Sequence, residues 1–195
     1  YGTAMHTALE KGQYLTNKSR FSLENVIESF KSAMRDENLD VDEMNRYIDK
    51  GEQVLKRLFL DYDYKLQKGS QQEQKLGDVL IGQARLSGKL DRIDSNNDKL
   101  VIVDYKTGKP LSSFETKDQT KAIKAWRQKT QLIYYAVLAS HSPRYKKYKS
   151  IECQMVYVEA EIITQLSRTY IPTEQDIKYL ELLISRVWTK IQKLD

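Results

Sequence analysis

The sequence predicts an α/β protein: a mixed β-sheet flanked by helices on both faces and preceded by a helical block. Three observations predict it. Residues 1–66 carry apolar positions at helical spacing, and residues 67–110 turn to β-branched, period-two patterning. A long helical stretch then separates that β region from further strands and a closing helix, which reads as a crossover connection. Both faces of the Leu100–Tyr105 run are apolar, as a central strand covered on both sides requires.

Taken in order, Thr3 is a candidate N-cap for a helix over Thr3–Glu10, with Met5 and Leu9 on one face and His6 in its first turns. Phe21 or Ser22 opens a second helix carrying Val26, Ile27, Phe30 and Met34. Asp40 or Asp42 caps a third, running through Met44, Tyr47, Ile48, Val54, Leu55, Leu58 and Phe59. Lys68-Gly69-Ser70 breaks the helical pattern. Glu73–Leu76 and Val79–Ala84 read as a hairpin around Gly77-Asp78. Leu86–Ile93 and Leu100–Tyr105 form the next two strands, joined by the polar turn Ser95-Asn96-Asn97-Asp98. A helix from about Lys117 to Ser140 carries Ile123, Trp126, Leu132, Ile133, Ala136 and Val137 as its apolar positions. Ile151–Glu159 and Ile162–Tyr170 are strands. Pro172-Thr173-Glu174 opens the last helix, whose core stripe is Ile177, Leu180, Ile184, Val187, Trp188 and Ile191.

At 195 residues the chain is most simply a single domain over 1–195, with a helical part (1–66) and a sheet with its flanking helices (67–195). It begins at Tyr1 and is expected to be a fragment of a longer protein. No apolar run reaches membrane-spanning length and no signal peptide is visible, so a cytoplasmic, membrane-free location is expected. Cys153 stands alone, which excludes an internal disulfide and a cysteine-built metal cluster, and fits a reducing compartment. Net charge is +5 but unevenly spread: Ser22–Asp63 holds 11 acidic against 6 basic residues, leaving +10 for the remainder. Basic runs at Lys117–Lys129 and Arg144–Lys149 suit a polyanionic partner, although any one such run is as readily a solvated surface.

The chemistry gathers on the central hairpin. Asp91, Asp104 and Lys106 stand inside strands where a purely structural hairpin would carry neutral side chains. Period-two alternation points Asp104 and Lys106 to one face. With an even-numbered turn centred on Asn96-Asn97, Asp104 lies opposite Lys89 and Asp91 is its diagonal neighbour, roughly 7–8 Å away at the backbone. An Asp91–Lys106 ion pair would be the ordinary reading of any isolated pair. It would leave a second carboxylate poorly compensated, which favours a cation between the two acids. Arg92 and Asp94 face the other way and read as structural. His141 follows a helix end and needs no function. Trp126 and the Tyr145/Tyr148 pair could stack on bases, but packing is the safer expectation.

Four motifs occur in order: Gly2-Thr-Ala-Met-His-Thr-Ala-Leu-Glu10, Gly88-Lys-Leu-Asp-Arg-Ile-Asp94, Val103-Asp-Tyr-Lys-Thr-Gly108 and Gln131-Leu-Ile-Tyr-Tyr135. Together they resemble the PD-(D/E)xK nuclease superfamily with its restriction-endonuclease-like core, over Gly2 to about Glu159. The RecB-like branch is the nearest, whose members often form the C-terminal nuclease domain of UvrD-type helicase–nucleases such as AddA, AddB and RecB. The resemblance implies Asp91 and Asp104 as metal ligands, with the backbone carbonyl of Tyr105 completing the set and His6 adding an imidazole. Glu73 matches, in a looser context, the acidic position upstream of the first Asp and is implied as a further ligand. Lys106 is implied to orient or activate the attacking water, and Gln131 with Tyr135 to line the site and help place Lys106 and the DNA. Many relatives hold an iron–sulfur cluster with cysteines; with Cys153 alone this chain has none. The implied cofactor is Mg²⁺ or Mn²⁺, matched by hard oxygen ligands, with the imidazole tilting toward Mn²⁺. The implied activity is a DNA nuclease, an exonuclease on single strands or ends, partnered by a helicase domain in the same polypeptide or complex and serving DNA repair. The alternative is a catalytically silent DNA-binding or scaffolding domain of the same fold; every expected acidic and Lys position is filled, which argues against it.

Overall fold

In a computed structural model, which describes residues 1–193, three α-helices precede three strands, and a fourth helix, two more strands and a fifth helix follow, in the order the sequence leads one to expect. The last two positions of the expected single domain, 194 and 195, lie outside the described residues. The helical block comprises α1 (Gly2–Asn17), α2 (Leu23–Arg35) and α3 (Val41–Lys56), the last widening into a π-helical turn at Arg57–Asp61. The strands are β1 (Gln71–Ile81), β2 (Ala84–Asn96), β3 (Lys99–Lys106), β4 (Ser150–Tyr157) and β5 (Ser167–Tyr170). Helix α4 (Gln119–His141) connects β3 to β4, and α5 (Glu174–Ile191) follows β5. The strands form one mixed sheet in sequence order.

The chain divides into two compact units. The first holds Tyr1–Gln72, Tyr105–Pro110 and Val156–Ser167; the second holds Glu73–Asp104, Leu111–Met155 and the residues from Arg168 on.

In the first unit, caps and apolar stripes set the helices. Ser22 Oγ accepts from the Asn25 backbone N–H, and Asp40 Oδ1 accepts from that of Glu43, so two of the expected caps stand. Thr3 is not a cap: α1 already begins at Gly2 after Tyr1 and runs on to Asn17, well past Glu10. Beyond Glu10, Lys11, Gln13 and Leu15 favour helix and carry it through Gly12, which is buried where Val26 and Leu66 leave little room for a Cβ. Met5, Leu9, Val26, Phe30, Met34, Leu55 and Leu58 are buried. Helices α2 and α3 approach closely at Gly51, where a Cβ would collide with the buried Phe30 ring.

In the second unit, the expected hairpin at Gly77-Asp78 does not form. β1 runs unbroken from Gln71 to Ile81, and the chain reverses at Gly82-Gln83. A tight I′ reversal needs two consecutive positive φ values. Here Asp78 has φ 59° but Gly77 does not, so Asp78 is absorbed as a local irregularity within the strand. Gly82, with φ 59°, takes the reversal instead.

The β2–β3 register runs from Asn96↔Lys99 to Arg92↔Val103. The turn is therefore Asn97-Asp98 rather than Asn96-Asn97, with Asn97 at φ 47°. This register does not set Asp104 opposite Lys89, since Val103, its neighbour, already pairs with Arg92. The loop keeps an even number of residues, so the shared face of Asp91 and Asp104 survives the shift. Asp98 anchors the turn to the start of β4: its carbonyl accepts from Lys149 N, and its carboxylate pairs with Lys149 Nζ at 2.6 Å.

Three further expectations are corrected. Ile162–Tyr170 is not one strand, because Ile163–Gln165 forms a 3₁₀ turn before β5. On α4, Ile123 and Trp126 are 62% and 60% exposed; the buried face begins at Ala125 and is continuous only from Leu132. On α5, only Leu180 of the expected stripe is fully buried, Ile177, Ile184 and Trp188 are half-buried, and Val187 and Ile191 project outward. Among the described residues no helix is long and apolar enough to cross a membrane.

The Gly51 contact gives a direct test of the helical block. Alanine is the better helix former, by about 1 kcal/mol. Nevertheless Gly51→Ala should destabilise by a net of about 1–3 kcal/mol, because the ring of Phe30 has nowhere to move. Urea denaturation followed by circular dichroism measures this, and a stabilised variant would contradict the packing.

Candidate active site

The second unit carries five of the eight residues singled out in the sequence: Glu73 on β1, Asp91 on β2, Asp104 on β3, and Gln131 and Tyr135 on α4. A carboxylate oxygen of Glu73 and one of Asp91 lie within 4.8 Å of each other. Asp104 is 2% exposed. Tyr135 Oη donates to Asp104 Oδ1 at 3.1 Å, and Gln131 Nε2 donates to Tyr135 Oη at 2.8 Å. The one-turn spacing of Gln131 and Tyr135 thus becomes a relay ending on the Asp104 carboxylate. Burial pushes the Tyr135 phenol far up, and the negative charges of Asp104 and Asp91 push it further. It therefore remains a proton donor throughout the working pH range.

The first unit holds the other three. His6 is half-buried on α1, and its ring meets that of Tyr105 edge-on, with centroids 6.3 Å apart. Tyr105 is buried, and the backbone carbonyl of Lys106 accepts from Val158 N at 3.0 Å. Asp104, Tyr105 and Lys106 are consecutive in β3, so alternation sets Asp104 and Lys106 on one face of the strand.

Arg92 Nη2 and Asp94 Oδ2 form a buried ion pair at 2.9 Å on the alternate positions of β2. His141 Nε2 lies 2.7 Å from Glu181 Oε1. Tyr145 is buried, whereas Trp126 is exposed. Burial, then the charges of Glu152 and Asp104, push the Cys153 thiol up, and its Sγ donates to the Leu132 carbonyl at 3.4 Å.

Three contributors carried no signal strong enough to single out. Gly88 lets α4 lie against β2: a Cβ there would come within 2.6 Å of Leu138 Cδ1. Tyr134 Oη donates to the Ser87 carbonyl at 2.7 Å, pinning the same helix to the same strand. Lys89 pairs with Glu73. Gly88 was visible as the glycine opening the second motif; the Lys89–Glu73 pairing joins two strands and has no local signature.

These features fit one family. The chain belongs to the PD-(D/E)XK nuclease superfamily, whose family model matches residues 1–195. Among solved structures, a candidate exonuclease from Eubacterium rectale is similar with a TM-score of 0.51 at 15% identity, over 96% of this chain. This chain spans only 66% of the length of that protein. The crystal structure of SSO0001 aligns over 97% of this chain and 75% of its own, at 14% identity and a TM-score of 0.34. No curated protein matches the chain.

The relay predicts a stability change with a defined pH dependence. Tyr135→Phe leaves the buried Asp104 oxygen without its phenol donor and should cost about 1–3 kcal/mol at neutral pH. Because the native phenol is raised, the unfolded state releases its proton first, at about pH 10. The stability contributed by Tyr135 is therefore complete below about pH 10 and falls as pH rises above it, and Tyr135→Phe should flatten part of any alkaline decline. Denaturant midpoints measured from pH 7 to 11 check both statements.

Proposed function

We propose that the chain is a Mg²⁺- or Mn²⁺-dependent deoxyribonuclease of the RecB-like branch, acting as an exonuclease on single strands or exposed ends. We propose further that it serves DNA repair or recombination beside a helicase domain in the same polypeptide or complex. The observation that carries the reading is the pair of adjoining Glu73 and Asp91 carboxylates, next to a buried Asp104 held by Tyr135, in a chain of a nuclease superfamily.

The donor set fits a hard divalent cation. Carboxylate oxygens this close repel one another unless a cation lies between them, and oxygen ligands suit Mg²⁺ and Mn²⁺. Asp91 and Asp104 would hold the ion, with the Tyr105 carbonyl and the His6 imidazole completing the shell and Glu73 as a further carboxylate. Bound there, it would lower the pKa of water and offset phosphate charge. Lys106, two residues beyond Asp104 on β3, would orient the attacking water and offer its ammonium to the phosphate. Tyr135 holds one Asp104 oxygen in a fixed direction, and Gln131 fixes the Tyr135 hydroxyl, so the carboxylate is oriented before substrate arrives. Residues 117–129 set five basic side chains against Asp118 alone and expose Trp126, which suits a polyanion bearing stackable bases.

Degradation of end-labelled single-stranded DNA tests the reading. Wild type should degrade it with Mg²⁺ or Mn²⁺ and stop on addition of EDTA. Asp104→Ala and Lys106→Ala should each lose on the order of 100-fold or more in rate. Activity surviving both substitutions would sink the residue assignment. Salt-sensitive DNA binding without cleavage, across several metals, would favour the silent binding module instead.

A further inference from the structure

We infer that Lys89 is a resident counter-ion of the metal site: its ammonium neutralises Glu73 when no metal is bound, and a divalent cation must displace it. The inference rests on the metal-site reading above and adds a positioning residue that tunes metal affinity.

Three observations in the second unit carry it. Lys89 Nζ forms an ion pair with Glu73 Oε2. Glu73 is largely withdrawn from solvent, its side chain 17% exposed, whereas Lys89 is 55% exposed. The ammonium can therefore swing out to water while the carboxylate cannot. Glu73 also sits at φ 52°, a left-handed position that a non-glycine residue occupies at a cost. From that position in β1, the Glu73 carboxylate lies within 4.8 Å of that of Asp91 on the neighbouring strand.

The electrostatics follow from these positions. Two carboxylates with oxygens inside 4.8 Å repel each other strongly in a partly desolvated place. Lys89 precedes Asp91 by two residues on β2, so the strand repeat brings its side chain to the Asp91 side. A monovalent ammonium there relieves the repulsion without a metal. A divalent ion between the same oxygens would repel the ammonium and compete with it for Glu73. The pair thus sets a threshold: metal binds only when its gain exceeds the loss of the Lys89–Glu73 contact. With one partner exposed and the other largely buried, the effect of the pair is read in the affinity of the competing cation.

Mn²⁺ titration calorimetry on the full chain, without DNA, tests this. Lys89→Met should bind Mn²⁺ about 3- to 10-fold more tightly than wild type, whereas Lys89→Arg, which keeps the charge, should remain near wild type. In a Glu73→Gln background the Lys89→Met gain should vanish, because the partner it competes for is gone. Equal affinity in wild type and Lys89→Met, or a gain that persists without the Glu73 carboxylate, overturns the inference while leaving the metal site standing. No Mn²⁺ binding by wild type or any variant overturns the metal-site reading and this inference together.

Discussion

The constraint on which the rest depends is the register of the β2–β3 hairpin. A two-residue turn at Asn97-Asp98 pairs Arg92 with Val103, and strand alternation from that pair keeps Asp91 and Asp104 on one face. An odd loop would send one aspartate to the opposite face, where Arg92 and Asp94 already form a closed, buried pair. The turn is secured from outside the hairpin. Lys149 and Ser150 both donate backbone N–H groups to the Asp98 carbonyl, so the start of β4 locks the reversal. Register, and with it the chemistry of the face, is held by a contact some fifty residues away in sequence.

The second dependency is the seat of α4 on β2. Gly88 removes the Cβ that would meet Leu138, and Tyr134 bonds to the Ser87 carbonyl beside it. With the helix seated, Tyr135 reaches Asp104 and Gln131 reaches Tyr135. The outcome is a buried carboxylate with one oxygen committed to a phenol that stays protonated. The Asp104 oxygen that accepts from Tyr135 is thereby held in a defined direction, the property that a ligand for a hard cation needs. Glu73 and Asp91 differ in kind, being less buried and closer to solvent, with Lys89 at hand. One side of the acidic group is rigid and the other adjustable.

Much of this was legible along the chain. The order of elements followed from the periodicities, and the helix starts at Ser22, Asp40 and Thr173 were readable because a helix opening is a local event between residues three apart. The Gln131–Tyr135 pair was legible for the same reason, since one helical turn sets it. The misread hairpin at Gly77-Asp78 shows the limit. The dipeptide has turn composition, yet the pairing of β1 kept the strand running to Gly82. Apolar stripes on α4 and α5 were likewise read correctly as stripes but only partly as core. Amphipathicity says which side of a helix is apolar, whereas burial depends on how far along its length something covers that side.

By itself, the sequence determined the α/β class, the four motifs and which residue types could act together, because each depends on neighbours within a turn or a strand repeat. The tertiary structure decided the hairpin register, the contact of Tyr135 with Asp104, and the pairing of Lys89 with Glu73. Those are distances between residues far apart in the chain. They are set by where one strand's turn is anchored, where a missing Cβ admits a helix, and which charges are left facing each other when the strands align.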